Sequence, residues 1–465
     1  MSQSRADVAI LGGGPGGYEA ALVAAQLGAR VTVVEAEGLG GACVLTDCVP
    51  SKTLIATSET MGILHGAGGL GIRIEPRNAA GPVTVDAIRL HGRVKDLARA
   101  QSADVAARLA AEGVQVITRP GRLAGPHTVA AGDREISADA VLIATGGVPR
   151  LLPGAEPDGE RVLNWRHLYD LGELPEALIV VGSGVTGAEF ASAYQALGSR
   201  VTLISSRDHV LPQADQDAAV VVEEVSQRRG MTVLSRSRAA AVKRHSSGVT
   251  VALTDGRTVH GSHCLLTVGV VPATRGIGLE EAGVTLDDDG FVRVDRVSRT
   301  SARGVYAAGD CTGVMMLASV AAMQGRIAMW HALGEAVQPL RLQQVAATIF
   351  TEPEIATVGV AQAAVESGQV DAAVVKLMLA TNARAKMQGF QDGFVKLFAR
   401  RGSGTVLGGV VVAPRASELI LAVSLAVRQM LTVDQVAQTF AVYPSLSGSL
   451  TEAARTLMGT ATEGA

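Results

Sequence analysis

The stretch "VAILGGGPGGYEAALVAAQLGARVTVVE", from Val8 to Glu35, decides the fold of this chain. An apolar run of strand length leads into the pattern G-x-G-x-x-G, and a helix of small residues, a glycine and a second apolar run follow. This order predicts a strand–turn–helix–strand unit that holds the pyrophosphate of a dinucleotide. Gly12 permits the tight turn, Gly14 lets the backbone approach the phosphates, and Gly17 lets the helix pack on the strand.

A second copy of the same pattern organises the rest of the chain. "LIVVGSGVTGAEFASAYQALGSRVTLIS", from Leu178 to Ser205, aligns with the first stretch without a gap. Gly182, Gly184 and Gly187 take the three glycine positions. A glycine-rich turn without a ligand is the alternative for a single copy, but two complete copies favour two dinucleotide sites in one chain.

The two copies differ where the adenosine ribose would bind. Glu35 ends the second strand of the first copy, and a carboxylate at this point accepts hydrogen bonds from ribose hydroxyls. The second copy has Ser205 there, followed by Ser206 and Arg207. An arginine without a carboxylate suits a 2′-phosphate, so the second site should accept NADPH at least as well as NADH. The alternative is that Arg207 is an ordinary solvated loop charge.

Composition excludes several classes of protein. A chain of 465 residues should divide into about three domains, and 48% apolar residues indicate a globular protein. A net charge of −3 without a basic block argues against nucleic acid as a partner. No apolar run has the length of a membrane span, and the first strand begins near Ala6, which leaves no room for a signal peptide. We therefore expect a soluble cytoplasmic protein.

The segment "GGACVLTDCVPSK", from Gly40 to Lys52, contains two of the four cysteines. A zinc site would need further ligands at short spacing, and an iron–sulfur run would need a cysteine where Ser51 stands, so no metal is predicted. A structural disulfide is disfavoured in a reducing cytosol. Cys43 and Cys48 are then either two inert thiols or a redox pair. The pair is favoured because Cys48 lies at the start of a helix, where the dipole lowers a thiol pKa.

With this segment just after the first dinucleotide site, the chain resembles the pyridine nucleotide–disulfide oxidoreductase family over almost its whole length. The resemblance implies an α/β fold with two Rossmann-like dinucleotide-binding domains and an α+β C-terminal dimerisation domain. Other segments that match the family are "VLIATGGVPR" (Val141–Arg150), "GVYAAGDCTG" (Gly304–Gly313), "TEPEIATVGV" (Thr351–Val360), "NARAKM" (Asn382–Met387) and the "GFVKLF…GGVVV" region.

The resemblance also implies a division of the chain and its cofactors. Residues 1–150 would bind FAD, 151–270 would bind NADPH or NADH, 271–338 would complete the FAD site, and 339–465 would form the interface of a homodimer. The remaining FAD contacts implied by the family are Gly121, Thr145, Gly146, Asp310 and Ala318, and Gly269 would lie at the nicotinamide site.

The resemblance assigns the chemistry to a few side chains. Cys48 would face the flavin and Cys43 would exchange with a disulfide substrate. Lys52 would lie near flavin N5 in a pair with Glu189, because a cation there stabilises the anion that forms when hydride arrives. The alternative for Lys52 is an ordinary lysine on the surface of a helix.

The family pattern fails at the acid–base residue. The family has a His–Pro–Thr–Leu–Ser–Glu segment, in which the histidine is the base and the glutamate orients it. Here the equivalent "YPSLSG" has Tyr443 for the histidine and Gly448 for the glutamate, and no histidine follows His331. A phenol titrates near pH ~10, so Tyr443 is a poor base at neutrality. Glu452, one helical turn beyond Gly448, is a weak candidate.

These features lead to one expected function and two alternatives. The chain is expected to be an FAD-dependent NAD(P)H oxidoreductase that passes hydride to flavin and on to a quinone-type small-molecule acceptor, because a quinone needs no thiol exchange. One alternative is a disulfide reductase, such as dihydrolipoamide dehydrogenase, that uses Cys43 and Cys48 with another base. A second alternative is a flavin-bearing redox sensor or complex subunit with little turnover.

Overall fold

The computed structural model describes residues 5–73 and 83–461. The first glycine motif lies in a unit built of alternating strands and helices. Its elements are β1 (Asp7–Leu11), α1 (Pro15–Gln26), β2 (Arg30–Glu35), α2 (Gly41–Leu45), α3 (Cys48–Gly66), α4 (Ala87–Ala111), β3 (Gln115–Thr118), β4 (Gly121–Gly125), β5 (Thr128–Ala131), β6 (Arg134–Ser137), β7 (Ala140–Ile143) and β8 (Gly147–Pro149).

The second glycine motif begins a similar unit, which is followed by a return to the first. Its elements are β9 (Val162–Leu163), β10 (Ala177–Val181), α5 (Val185–Ala196), β11 (Arg200–Ile204), α6 (Gln216–Arg228), β12 (Thr232–Leu234), β13 (Ala239–Arg244), β14 (Val249–Leu253), β15 (Thr258–Gly261), β16 (His263–Leu266) and β17 (Val270–Pro272). The returning segment contains β18 (Val305–Ala307) and α7 (Ala318–Ala332).

The two repeats fold into matching parallel sheets. The first sheet has the order β18-β7-β1-β2-β3 and the second the order β12-β11-β10-β16-β9. In each, the strand before the glycine turn pairs with the strand after the helix in the same register. Both glycine turns therefore lie at the carboxyl edge of a parallel sheet, where dinucleotides bind in open α/β folds. The antiparallel sheets β4-β5-β6 and β13-β14-β15 extend the two units.

Two connections hold the units together. The strand β18 pairs in parallel with β7, so the segment after the second repeat completes the first sheet. The short strands β8 and β17 pair with each other at the crossing between the units. The first dinucleotide unit is thus assembled from two separate parts of the chain, as the family resemblance implies.

The C-terminal unit is an antiparallel sheet covered by helices. Its elements are β19 (Ala346–Ile349), β20 (Glu354–Gly359), α8 (Gln362–Glu366), β21 (Ala372–Met378), α9 (Ala383–Met387), β22 (Phe394–Arg400), β23 (Val406–Ala413), α10 (Ala416–Arg428), α11 (Val433–Ala437) and α12 (Gly448–Ala461). The strands form a sheet of order β19-β20-β23-β22-β21. Short 3₁₀ turns lie at Ala67–Leu70, Trp165–Asp170, Asp310–Thr312, Leu342–Gln344 and Leu379–Thr381.

The fold class predicted from the sequence is confirmed: two Rossmann-like units precede an α+β domain. The domain limits of 150, 270 and 338 stay predictions. Cys264 and Cys311 are fully buried in the core, as expected for small apolar side chains. Among the helices of residues 5–73 and 83–461, none has both the length and the apolar character needed to cross a membrane.

Candidate active site

The first glycine turn has one open position between two crowded ones. Gly12 has a φ of +106°, and a Cβ atom there would lie 2.2 Å from the backbone oxygen of Ala144. A Cβ on Gly17 would lie 1.9 Å from the Gly12 oxygen, whereas one on Gly14 would meet nothing within 4 Å. The backbone at Gly14, which begins α1, is therefore accessible to a ligand such as a pyrophosphate.

The second turn repeats this geometry. Gly182 has a φ of +110°, and a Cβ there would lie 2.4 Å from the Thr267 oxygen. A Cβ on Gly187 would lie 1.9 Å from the Gly182 oxygen, while Gly184 at the start of α5 is open. The residues present thus fit two dinucleotides. In each turn, the first and third glycines leave no space for a side chain, whereas the backbone of the middle glycine is open to a ligand.

Glu35 supports the first turn directly. Its carboxylate accepts hydrogen bonds from the backbone N–H groups of Gly13 at 2.5 Å, Glu37 at 2.7 Å and Gly38 at 3.3 Å. A carboxylate has about four lone-pair positions, so these three bonds leave capacity for a ribose hydroxyl. The side chain lies at the position that the sequence analysis gave it, next to the glycine turn.

The corresponding loop of the second unit has a different arrangement from the one expected. Ser205 is fully buried, and its hydroxyl accepts a hydrogen bond from the Ser183 hydroxyl at 2.7 Å and another from the Arg207 N–H at 3.1 Å. Ser206 and Arg207 are exposed. Ser205 therefore shapes the loop from inside, and the side chains available to a nucleotide are those of Ser206 and Arg207.

Three further residues implied for FAD lie around the first turn. Thr145 and Gly146 follow the end of β7 after one intervening residue, and a Cβ on Gly12 would lie 3.1 Å from the Thr145 nitrogen. Gly121 begins β4, and a Cβ there would approach Val34 to 2.6 Å. These residues therefore line the same edge of the sheet as the glycine turn.

Asp310, Ala318 and Gly269 come from the segments that join the units. Asp310 begins the 3₁₀ turn after β18, and burial together with the charge of Asp47 raises the pKa of its carboxyl to about 6. Ala318 begins α7, which is buried along one side. The carbonyl of Gly269 accepts a hydrogen bond from the Arg150 N–H at 3.0 Å, beside the crossing of β8 and β17.

Lys52 and Glu189, which are far apart in sequence, form the predicted pair. The Lys52 Nζ lies 2.8 Å from Glu189 Oε2, and the Glu189 carboxylate is 5% exposed. Burial by itself lowers the pKa of Lys52, but the charge of Glu189 and its hydrogen bond outweigh burial, so the pKa lies above its ordinary value. The ammonium group is therefore charged throughout the neutral range.

Phe350 completes this pair, and the sequence analysis did not find it. Its backbone N–H donates to Glu189 Oε1 at 2.9 Å, and its ring centroid lies 4.9 Å from the Lys52 Nζ. A cation over an aromatic face is stabilised by about 0.5–2 kcal/mol. The C-terminal unit thus fixes both partners of the ion pair. Phe350 lies just before the quoted segment "TEPEIATVGV", but no pattern in the sequence assigns it this role.

Cys43 and Cys48 come together at the junction of α2 and α3. Both thiols are partly buried, and they are hydrogen-bonded to each other. The bond with Cys43, and to a lesser extent the charge of Lys52, lowers the pKa of Cys48 although burial opposes this. The same bond and burial raise the pKa of Cys43. The lowered pKa of Cys48 was predicted, but its largest cause is the neighbouring thiol.

Asp47 is a second group that the sequence analysis missed. It is the residue before Cys48 and the N-cap of α3, yet its side chain makes no capping hydrogen bond. Burial raises the pKa of its carboxyl, and Glu189 adds to the rise, while Lys52 and Arg166 oppose it. An acidic residue directly before a redox cysteine was the available signal.

The segment that replaces the family's acid–base residues lies on the surface of the chain. Tyr443 is 85% exposed, and its neighbours Phe440 and Val442 are also exposed. Gly448 begins α12 and offers no side chain to orient a base. Glu452 forms an ion pair with Arg455, whose hydrogen bond lowers the pKa of that carboxyl and makes it a weaker base.

Among residues 5–73 and 83–461, no three or more His, Cys, Asp or Glu side chains cluster as metal ligands would. The candidate site consists of the two glycine turns, the Lys52–Glu189 ion pair and the thiols of Cys43 and Cys48.

Comparisons with known proteins agree with this geometry. The chain is 56% identical over 465 residues to an NAD(P)H dehydrogenase (quinone) of Mycobacterium tuberculosis, covering 97% of this chain and 94% of that protein. It is 34% identical over 457 residues to a dihydrolipoyl dehydrogenase of Chlorobaculum tepidum, covering 96% of each. The crystal structure of LpdA from Mycobacterium tuberculosis superposes with a TM-score of 0.92 at 55% identity, covering 97% of this chain and 100% of LpdA.

Two family descriptions match the chain in turn. Residues 6–325 match the pyridine nucleotide-disulphide oxidoreductase family, and residues 345–454 match the dimerisation domain of the same family. Members of this family are FAD-dependent oxidoreductases that use NAD(P)H. With its two glycine turns, its Lys52–Glu189 ion pair and its Cys43–Cys48 thiols, this chain belongs to the pyridine nucleotide-disulphide oxidoreductase family.

Proposed function

We propose that this protein oxidises NAD(P)H and delivers the electrons to a quinone-type acceptor, working as a homodimer. The observation that carries the proposal is the contrast within one site. The Lys52–Glu189 pair is intact, whereas Tyr443 and Gly448 stand where the family has its base and the residue that orients it. The name of the 56% identical relative, NAD(P)H dehydrogenase (quinone), supports the same acceptor class.

FAD, when bound, supplies the redox chemistry by accepting the hydride of NAD(P)H and returning two electrons to the acceptor. The chain's own residues do the rest. The turn at Gly14 would bind the FAD pyrophosphate, and the turn at Gly184 would bind that of NAD(P)H. Lys52, held by Glu189, would balance negative charge that builds up during hydride transfer. None of these roles needs an interface histidine.

One observation favours a second candidate function, a disulfide reductase. The thiols of Cys43 and Cys48 are hydrogen-bonded, and the pKa of Cys48 is lowered, which is the state of a reactive pair. Disulfide exchange, however, also needs a positioned proton carrier, and its loss costs about 10²–10⁴ in rate. The quinone therefore remains the better-supported acceptor.

An acceptor assay on Cys43→Ser separates the two candidates. Turnover of NADPH with a naphthoquinone should stay within about twofold of wild type, because Cys43 would be needed only for exchange with disulfides. Wild-type turnover with lipoamide and with glutathione disulfide should be poor in the same assay. Loss of quinone turnover in Cys43→Ser, or brisk native lipoamide turnover, would favour the disulfide reductase. Absence of multiple turnover with any of the three acceptors would favour a sensor or subunit.

The dimer is proposed from the C-terminal domain. Residues 345–454 match the family's dimerisation domain, and this region exposes large apolar side chains such as Phe440, Val442 and Leu421. Isolated exposed apolar residues are common, but several of them on a domain that matches a dimerisation family support a surface that a second copy covers.

Preference for NADPH is proposed from Arg207. Its guanidinium makes no ion pair with any residue of the described part of the chain, whereas the next residue, Asp208, is held by Arg236 at 2.5 Å. Arg207→Ala should raise the KM for NADPH roughly tenfold or more, since a hydrogen bond to a charged group contributes about 1.5–3 kcal/mol. The KM for NADH should stay unchanged, because NADH has no 2′-phosphate.

Steady-state kinetics with both nucleotides measure this effect. Arg200→Ala is the matched control. Arg200 begins β11, the strand that leads into the Arg207 loop, and it is paired with Glu176 at the end of the strand farther from that loop. Ser206→Glu should act in the same direction as Arg207→Ala by repelling the phosphate. Ser205→Glu is not a suitable test, because Ser205 is fully buried. Equal losses for NADH and NADPH in Arg207→Ala would show that Arg207 only supports the loop.

A further inference from the structure

Reduction of a disulfide consumes protons as well as electrons. The S–S bond takes up two electrons and, to give two thiols, two protons. The hydride of NAD(P)H brings both electrons and one proton, so one more proton must be supplied and later removed. No histidine follows His331, and Tyr443 and Glu452 are poor bases, so the thiol pair needs another proton carrier.

Asp47 is held next to this pair by its backbone. Its N–H donates to the carbonyl of Ala42, the residue before Cys43, at 2.8 Å, and its own carbonyl accepts from the Ser51 N–H at 2.8 Å. Cys48 is the next residue. These bonds fix the backbone of Asp47 in the turn that connects the two cysteines. The side chain is partly buried and makes no hydrogen bond or ion pair with any described residue, so its carboxyl is free to exchange a proton.

Asp47 interacts electrostatically with both thiols and with several charged groups around them. Its negative charge raises the pKa of Cys43, of Cys48 and of Asp310. Lys52 on the same helix and Arg166 from a neighbouring turn attract it, while Glu189 from α5 repels it. Glu189 is already paired with Lys52, and the Arg166 Nε is buried without a partner. Among the carboxyls that the described part of the chain places near the thiols, Glu189 is taken by its salt bridge and Asp310 by its implied place at the flavin. Asp47 has neither.

We propose that Asp47 is the acid–base residue for reduction of the internal Cys43–Cys48 disulfide, whereas exchange with an external disulfide still lacks the interface histidine. During reduction the S–S bond breaks, the hydride supplies two electrons and one proton, and the Asp47 carboxyl gives the second proton to a cysteine sulfur. Water restores that proton, and reoxidation runs the same steps in reverse. A carboxyl that is partly buried next to other acids holds its proton closer to neutral pH, which suits this exchange. The inference goes beyond the quinone reaction, in which the thiols need not take part.

The pH dependence of thiol alkylation tests this assignment in the dithiothreitol-reduced holoenzyme. Iodoacetamide labels thiolates, and mass spectrometry reads Cys43 and Cys48 separately. In wild type the rate at Cys48 should follow two titration steps, because ionisation of Asp47 raises the pKa of this thiol, whereas Asp310 also acts on Cys43. Asp47→Asn removes that negative charge, so one step should disappear. Cys48 should then react roughly tenfold faster at pH values between the Asp47 step and the thiol step, with no difference below the Asp47 step.

Two variants keep the test decisive. Asp47→Glu restores a carboxyl and should restore two steps. Asp86→Asn is the matched control, because Asp86 caps the neighbouring long helix α4, where it accepts a hydrogen bond from Arg89 N–H at 3.0 Å, and this variant should behave as wild type. If Asp47→Asn does not fold, Asp47→Ser keeps a small uncharged polar side chain and carries the same expectation. Two steps retained in the uncharged variant, or one step in Asp47→Glu, would overturn the proposal.

The alkylation profile is independent of the acceptor. If the protein does not reduce quinones, the two-step profile still stands, and if Asp47 is inert, quinone turnover is unaffected. The two proposals therefore fail in different measurements.

Discussion

Lys52→Met should slow the reduction of bound flavin by NADPH roughly 10²–10³-fold, the range seen when one preorganised electrostatic group is removed from an active site. Methionine keeps most of the apolar stem of lysine and removes the positive charge. Packing against Phe350 is thereby largely preserved, so the effect reports on charge. Anaerobic stopped-flow absorbance of the flavin measures the rate directly, before any acceptor is involved.

The loss should be independent of pH across the neutral range. The pKa of Lys52 is raised above its ordinary value because Glu189 outweighs the effect of burial, so the wild-type side chain stays charged until well into the alkaline range. Glu189→Gln should produce a smaller loss, since it keeps a hydrogen-bond acceptor but leaves the ammonium without its counter-ion.

Lys95→Met provides a comparison with little expected effect. Lys95 is also a lysine paired with a carboxylate, Asp170, at 2.6 Å, but both side chains are substantially exposed. Exposed pairs contribute about 0–1 kcal/mol to stability and nothing to hydride transfer at a distance. If Lys52→Met reduced its flavin as fast as Lys95→Met, the ion pair with Glu189 would be structural only.

Much of the fold was predictable because the glycine pattern is tied to backbone geometry. A side chain on Gly12 or Gly17 would collide with backbone atoms about 2 Å away, so the motif can exist only where a strand, a tight turn and a helix meet. The Lys52–Glu189 contact was predictable for a different reason. The two residues stand at fixed positions in two separate motifs, and the family resemblance relates those positions.

The parts that could not be predicted depend on packing between distant segments. Ser205 has the position expected for a nucleotide contact, but the loop after β11 folds over it, and it bonds to Ser183 instead. Phe350 lies in the C-terminal unit, and its contact with Lys52 exists only after that unit has packed on the first. No local pattern records such contacts, since they depend on how the domains assemble.

The cause of a pKa shift was likewise hidden. The start of α3 correctly predicted a lowered pKa for Cys48, but the hydrogen bond from Cys43 has the larger effect. The charge of Asp47 raises the pKa of Cys48. The sequence did not indicate this effect, because the motif is defined by the two cysteines and not by the residue before Cys48. Electrostatics at such short range depends on side-chain placement, which sequence spacing alone does not give.

Restoring the family's histidine and glutamate at Tyr443 and Gly448 should increase turnover with lipoamide. Tyr443→His alone should raise lipoamide turnover only modestly, because the imidazole would have no carboxylate to hold its orientation. Gly448→Glu alone should do nothing, since a phenol beside a carboxylate is still a poor base near neutral pH. Together the two changes should raise turnover by as much as about 10²-fold, the lower part of the range that positioned acid–base catalysis supplies.

The test is whether the double variant exceeds the combined effect of the single ones. An oriented base acts as a unit, so the coupling between Tyr443→His and Gly448→Glu should be strongly positive in a double-mutant cycle of lipoamide turnover. Cys43→Ser in the double variant should abolish the gain, because the restored base can act only through the exchange thiol. Quinone turnover should stay unchanged in all four proteins, because that acceptor needs neither the thiol nor the base. Additive effects on lipoamide turnover, or a gain that survives Cys43→Ser, would mean that the missing histidine and glutamate do not limit thiol exchange in this protein.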